Sequence, residues 1–262
     1  MTRTDEPAIP GAQTLINGIA VLKAVAAGAR TLADLTETTG LSRSTTHRLV
    51  QALRAERMLR DTVEGALALG PALIELGFQA REDISIPAIA RPYLLDLSDL
   101  TRDTIHLAAE DAGETLYLDK IRGSRTIEIR SWPGCRMPLT YTGIGKALLL
   151  DRPDRWESQY LADRERMERQ PEHDYSGAAA FARAMERYAA QGYAYDLEEN
   201  EAGVRCIAAP VRDAAGTIAC AISVSSFKTF MPTDRMHRLG PVVRDAADAI
   251  SRELGWNGQP TR

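Results

Sequence analysis

Apolar residues recur along this chain with two different periods, and the change from one to the other divides it. From Gln13 to Ala27 the residues Leu15, Ile19, Leu22 and Ala26 keep helical spacing. Thr31 is placed to cap a short second helix from Leu32 to about Thr38, and Gly40 can supply the left-handed residue of a tight turn. Ser42 is a good N-cap for a third helix, in which Thr46, Leu49, Val50 and Leu53 make one buried stripe. Ser44, His47, Arg48 and Gln51 fall on its opposite face. Two short runs flank Glu64-Gly65 and predict a hairpin, although Ala-Leu-Ala-Leu is a weak strand sequence. Pro71 suits the first turn of another helix. Pro87 and Pro92 then punctuate a stripe of Ile89, Leu94, Leu97 and Leu100, which reads as a linker helix with a boundary near 80–86.

Beyond that point the period shortens. Ile105–Ala109 and Thr115–Ile121 predict a hairpin around Asp111-Ala112-Gly113, and Thr126–Ser131 reads as a further strand. Lys146–Leu150 opens a helix, Ala178–Gln191 is a second one stopped by Gly192, and Ile207–Val211 with Ile218–Ser225 forms a closing hairpin. Met236, Leu239, Val243, Ala246, Ala247 and Ile250 stripe a final helix. Hairpins flanked by helices predict an α+β domain, not a doubly wound sheet. The expected order is a flexible arm (1–12), a winged helix-turn-helix domain (13–72), a linker helix (73–86), a sensor domain (87–254) and a tail (255–262).

Charge sharpens the first half. The chain of 262 residues carries a net charge of −4, yet the stretch from Ser42 to Arg60 holds Arg43, Arg48, Arg54, Arg57 and Arg60 against one acid, Glu56. A basic strip on an acidic protein fits contact with the phosphates of double-stranded DNA. Arg43, Ser44, Thr45, His47, Arg48 and Gln51 of the third helix are the candidate DNA-contacting residues. An ordinary helical hairpin with a solvated arginine face has the same pattern.

Other classes are constrained by composition. No window approaches the roughly 18 apolar residues of a membrane span, and the N-terminus lacks the apolar core of a signal peptide. Cys135, Cys206 and Cys220 are too few and too scattered for a disulfide framework or a zinc motif, which suggests a cytoplasmic protein with reduced thiols and neither metal nor cofactor. Cys206 has no base beside it in sequence, although one of His47, His106, His173 and His237 could meet it in space. There is no Gly-x-Ser-x-Gly elbow, and GIGKA lacks the spacing of a P-loop.

Three stretches resemble the isocitrate-lyase-regulator (IclR) family of bacterial transcription factors: LSRSTTHRLVQAL, MPLTYTGIGKALL and DLEENEAGVRCIAAPVRDAAGTIACAISVS. The resemblance implies a GAF-like effector-binding domain, a near-palindromic operator and assembly as a dimer or dimer of dimers. It further implies a repressor, or alternatively an activator, answering to a small organic acid. Thr140 departs from it, since many members have histidine there, beside the implied pocket. Gly143 and Ile144 would hold a carboxylate at a loop before the helix near Lys146; the same glycines could serve only close packing. Asp196 and Cys206 would line the pocket, with Asp196 reading a hydroxyl because a second carboxylate would be repelled. Ser223 and Ser225, two apart on one strand face, would meet the ligand's other end, or would face solvent. A DNA-binding scaffold with no ligand is the remaining alternative, favoured by a pocket too small for a metabolite.

Overall fold

The computed structural model describes residues 12–83, 85–125, 129–166 and 174–258. Residues 1–11 of the expected arm lie outside them. The chain divides into two compact units, Met1–Ile84 and Ser85–Arg262.

The first unit begins with three helices, α1 (Gln13–Ala26), α2 (Leu32–Thr39) and α3 (Arg43–Ala55). Its local logic is that of the capping residues. The Thr31 hydroxyl accepts from the Asp34 amide, and the Asp34 carboxylate accepts from the Thr31 amide, a reciprocal capping box. Gly40 ends α2 in the left-handed conformation, and the Ser42 hydroxyl accepts from the Thr45 amide to start α3. A two-stranded wing follows, β1 (Leu59–Asp61) against β2 (Leu67–Leu69), and then α4 (Pro71–Asp83). Val21, Val25, Leu35, Val50, Leu59 and Leu67 form the core.

One expectation fails in α1. The helix is present, but its buried residues are Gly18, Val21, Ala24 and Val25. Leu15 (67% exposed) and Ile19 (43%) face outward with Ile16. Two apolar faces compete in this segment, and the one that meets Leu35 and Val50 is buried.

The second unit is built on a six-stranded antiparallel sheet of order β5-β4-β3-β8-β7-β6. Its strands are β3 (Thr104–Asp111), β4 (Glu114–Ile121), β5 (Arg136–Met137), β6 (Ala194–Leu197), β7 (Val204–Arg212) and β8 (Ile218–Phe227). Alternation sorts the two faces. Ile105, Leu107, Ile207, Ala209, Val211, Ile222 and Val224 pack with α5 (Ile86–Thr101) and α9 (Thr233–Glu253). Ala108, Ala194, Ala208 and Ala221 pack with α6 (Gly143–Leu148), α7 (Trp156–Arg166) and α8 (Ala178–Gln191).

Here α5 is no linker. Ala90, Leu94 and Leu97 are buried against the sheet, whereas Leu100 is 68% exposed. Of the strand expected at Thr126–Ser131, residues 126–128 lie outside the described part, and 129–131 form no strand. The carbonyls of Ile129 and Ser131 instead accept from Lys120 Nζ, at 2.8 and 2.9 Å. Among the described residues no helix is long and apolar enough to cross a membrane.

Leu35, fully buried, and Leu49, only half-buried, give a graded test of the first unit. Leu35→Ala should cost about 2–5 kcal/mol, and Leu49→Ala clearly less. Amide exchange protection in α1–α3 measures both, and equal losses would contradict the packing described.

Candidate functional site

On α3 the two faces are separated by burial. Thr46 and Val50 are buried, while Arg43, Ser44, His47, Arg48 and Gln51 are exposed. Thr45 is half-buried, and its hydroxyl lies 2.9 Å from Ser42 Oγ within the helix cap. The arginine strip is less free than its sequence suggests. Arg54 pairs with Asp61, and Arg57 pairs with Glu75 at 2.6 Å. Among the described residues Arg43, Arg48 and Arg60 have no acidic partner, so they hold the charge still open to phosphate.

In the second unit the strand register assembles a polar cluster on the alanine-lined face. Asp196 pairs with Cys206, which pairs with Ser225, which pairs with Thr104. The next row on that face runs Ala194, Ala208, Ser223, His106 and Lys120. The nine residues between Asp196 and Cys206 are therefore a connection that brings both side chains to one place. Cys206 Sγ lies 2.8 Å from Ser225 Oγ. His106 Nε2 lies 2.7 Å from Ser131 Oγ, and Nδ1 is 3.4 Å from both Ser223 Oγ and Ser225 Oγ.

The helix α6 covers this cluster, and it begins earlier than expected. Thr142 is its N-cap, accepting from the Gly145 amide at 3.0 Å, so Gly143, Ile144 and Gly145 are its first turn and not a preceding loop. Close packing explains both glycines. A Cβ on Gly145 would stand 2.3 Å from the Leu139 carbonyl oxygen, and one on Gly143 would stand 3.0 Å from Cys206 Cβ and 3.2 Å from the Asp196 amide nitrogen. A side chain at 143 would thus collide with the sheet before it filled any ligand space.

A cavity of about 40 Å³ remains between them, with room for roughly three water molecules. Gly143, Ile144, Asp196, Cys206 and Ser225 line it. The first-turn amides of α6 have no intrahelical acceptors. Ser223 does not line it: it is buried behind His106, and its hydroxyl meets the imidazole. Nor does Thr140 border it. Its amide and hydroxyl both donate to the Asp163 carboxylate of α7, at 2.9 and 2.8 Å. Sequence reasoning missed His106, Tyr117, Ser131, Asn200 and Glu201, which line it together with Ile129, Arg130, Met137, Thr142 and Val204; only the strand register could have placed the first.

The electrostatics of this wall are set by one buried lysine. Lys146 is fully buried, and its ammonium donates to the Tyr195 carbonyl at 2.9 Å and to Glu199 Oε1 at 3.0 Å. Burial opposes its charge, but the Glu199 carboxylate together with Tyr175, Tyr188 and Asp196 outweighs it and holds its pKa well above the usual lysine value. Glu199 also accepts from the Leu197 amide and stays ionised: burial opposes this, and Lys146 outweighs it. Burial, then the neighbouring Glu199 charge, push Asp196 well above the ordinary carboxylate range. Asp196 is therefore the neutral member of the pair, a donor as well as an acceptor. The expected repulsion of a second ligand carboxylate does not hold.

The arrangement does not make a nucleophile. Burial first, and then Asp196, push the Cys206 thiol far up, while burial and Lys120 press His106 down to about 3. A protonated thiol beside a neutral imidazole that faces two serines is a hydrogen-bonding surface. Among the described residues no group of three or more His, Cys, Asp or Glu side chains could hold a metal ion.

Comparison with known proteins follows both units. Residues 14–62 match the IclR helix-turn-helix domain, and residues 78–252 match the family described as bacterial transcriptional regulator IclR C-terminal. The HTH-type transcriptional regulator KdgR of Escherichia coli (strain K12) is 30% identical over 230 residues, covering 87% of this chain and 87% of its own. The HTH-type transcriptional repressor AllR of Salmonella typhi is 29% identical over 94% of this chain and 91% of its own. The fold is shared with the Agobacterium tumefaciens repressor BlcR, at 23% identity and a TM-score of 0.79 over 95% of this chain and 100% of that one. These relatives are described as transcriptional regulators or repressors.

The protonation of Asp196 can be tested by its cost. A carboxyl whose folded pKa is raised keeps its proton in the folded state, so stability falls as pH rises above the unfolded value. Asp196→Asn replaces the neutral acid by a neutral amide and removes that dependence. The melting temperature of the variant minus that of the wild type should increase between about pH 5 and about pH 8. A difference that shrinks with rising pH would mean that Asp196 is the charged member.

Proposed function

The chain belongs to the IclR family of bacterial transcriptional regulators, and on that premise we propose that it represses catabolic genes from a near-palindromic operator and is modulated there by a small organic acid. The carrying observation is the outward face of α3, where Arg43, Ser44, His47, Arg48 and Gln51 stand exposed opposite buried Thr46 and Val50. A helix of this kind reads base edges with its polar side chains, while arginines at its margins hold phosphates. The exposed Leu15, Ile16 and Ile19 of α1 support self-association of the DNA-binding units, which a two-fold operator needs.

The acid would sit in the cavity under α6. The amides of Gly143 and Ile144 would take its carboxylate, Cys206 and Ser225 would flank it, and neutral Asp196 would donate to a carbonyl, hydroxyl or second carboxylate at its far end. Ser223 would act through His106, not by contact. With room for roughly three waters, the cavity favours a compact acid or a state in which α6 has moved. A coupling of about 1–3 kcal/mol between acid and operator would change DNA affinity about 5–150-fold.

Operator binding by full-length protein, measured by fluorescence anisotropy over a salt series, tests the first half. Arg48→Ala should weaken binding without lowering the melting temperature, and should reduce the log–log salt slope by about 0.9 if it holds one phosphate. Wild-type affinity and slope in that variant would remove Arg48 from the interface. Titrating a panel of keto, hydroxy and dicarboxylic acids into the operator complex tests the second half. An acid that shifts the wild type and Asp196→Ala equally would place the effector elsewhere.

A further inference from the structure

The last turn of α3 carries an arginine that the protein itself has taken. Arg54 stands seven residues after His47 and three after Gln51, so it continues their row along the helix. In a helix-turn-helix the N-terminal residues of the recognition helix meet base edges, and phosphate contacts fix its orientation. An arginine further along the same row is suited to phosphate. Arg54 instead donates through Nη2 to the carboxylate of Asp61 in the wing.

The register of the wing delivers that acid. Leu59, Arg60 and Asp61 of β1 pair with Leu69, Ala68 and Leu67 of β2. Alternation puts Asp61 on the side of buried Leu59, which packs with Val50 of α3, and turns Arg60 to the other side. The backbone that presents Asp61 is fixed. The Thr62 amide donates to the Ala66 carbonyl at 2.8 Å, and the Ala66 amide donates to the Thr62 hydroxyl at 3.1 Å. The Leu67 amide then ties β2 to the Arg30 carbonyl at 2.8 Å. A carboxylate built into the fold meets Arg54 at a high effective concentration, against which a phosphate from solution must compete.

The pair remains open to that competition. Its two side chains are 33% and 47% exposed, and Arg54 Nε has no hydrogen-bond partner among the described residues. An ion pair so exposed adds little to stability. Its larger consequence is for charge, since it withdraws one cation from the helix margin and sets one anion beside it.

We propose that Asp61 is an affinity-setting residue of the DNA interface: it occupies Arg54 in place of a backbone phosphate and lowers the protein's sequence-independent hold on DNA. This role rests on α3 being the DNA-contacting helix, as proposed above. Phosphate contacts supply the part of binding common to all sequences and carry no sequence information directly. Withholding one weakens the grip on every duplex alike and leaves base reading to the exposed row of α3.

Anisotropy titration of the full-length protein with a labelled duplex of arbitrary sequence, over a salt series, tests this without an operator. Asp61→Ala should bind about threefold more tightly or better at low salt, and should steepen the log–log salt slope by about 0.9, the share of one phosphate. In an Arg54→Ala background the same substitution should leave the slope unchanged. Asp61→Asn, which removes the charge and keeps the shape, should steepen the slope in the same direction, and it carries the test if Asp61→Ala fails to fold. A wild-type slope in both Asp61 variants, or a steepening that persists without Arg54, overturns this role. Arg48→Ala in the same assay separates the two readings. If it flattens the slope while the Asp61 variants do nothing, α3 remains the DNA-contacting helix and only the role of Asp61 falls. Absence of salt-dependent duplex binding by the wild type overturns both.

Discussion

The closeness of α6 to the sheet is the constraint on which the second unit turns. Ala108, Ala194, Ala208 and Ala221 belong to the cluster it packs with, and its glycines make the closest approaches, Gly143 to Cys206 and Asp196 and Gly145 to Leu139 and Thr115. Small residues on both sides allow backbone-to-backbone packing. One consequence is that Lys146 cannot escape to water from a helix of six residues pressed against strands. Its charge must be met inside, and β6 does so with the Tyr195 carbonyl and the turn after it with Glu199. Removing one partner of such a buried pair typically costs about 3–5 kcal/mol, because the other is left as an uncompensated charge.

From that pair follows the chemistry of the cavity under α6. Two carboxyl groups three residues apart in a buried turn cannot both ionise cheaply beside one lysine. Glu199 has the closer claim, since it binds the ammonium directly, and Asp196 takes the proton. The adjoining Glu198 does separate work: it holds Arg205, Lys228 and the Gly203 amide, fixing the loop that returns to β7. The run Asp196–Glu199 is thus three different structural devices. Only the first of them reaches the cavity.

Local signals were the most legible. The caps Thr31 and Ser42, the turn at Gly40 and the limits of α8 depend on residues within a few positions, and they read correctly from the chain. What went astray depends on partners far along it. In α1 two apolar faces exist, and only Leu35 and Val50 decide which is buried. Prolines in α5 suggested a connector, but Pro92 is accommodated within the helix, whose apolar side meets β3. Thr140 and Ser223 were assigned to the pocket because their neighbours in sequence belong there. The Asp163 carboxylate holds Thr140 away from it, and the His106 imidazole stands between it and Ser223. His106 was visible only as a histidine that some cysteine could meet, since nothing local marks a strand residue whose ring faces serines of another strand.

The size of that cavity bears on how such a protein can respond to a metabolite at all. At about 40 Å³ the cavity is smaller than a sugar acid, so binding of a ligand of that size at the proposed site would call for a conformer in which the helix or the segment Ile129–Ser131 has shifted. A ligand without differential affinity for two conformers moves no equilibrium, however tightly it binds. A tight apo cavity supplies that difference by exclusion. The glycines of α6 let it lie on the sheet, and Lys146 anchors it there, so any ligand that needs more room would act against these two contacts.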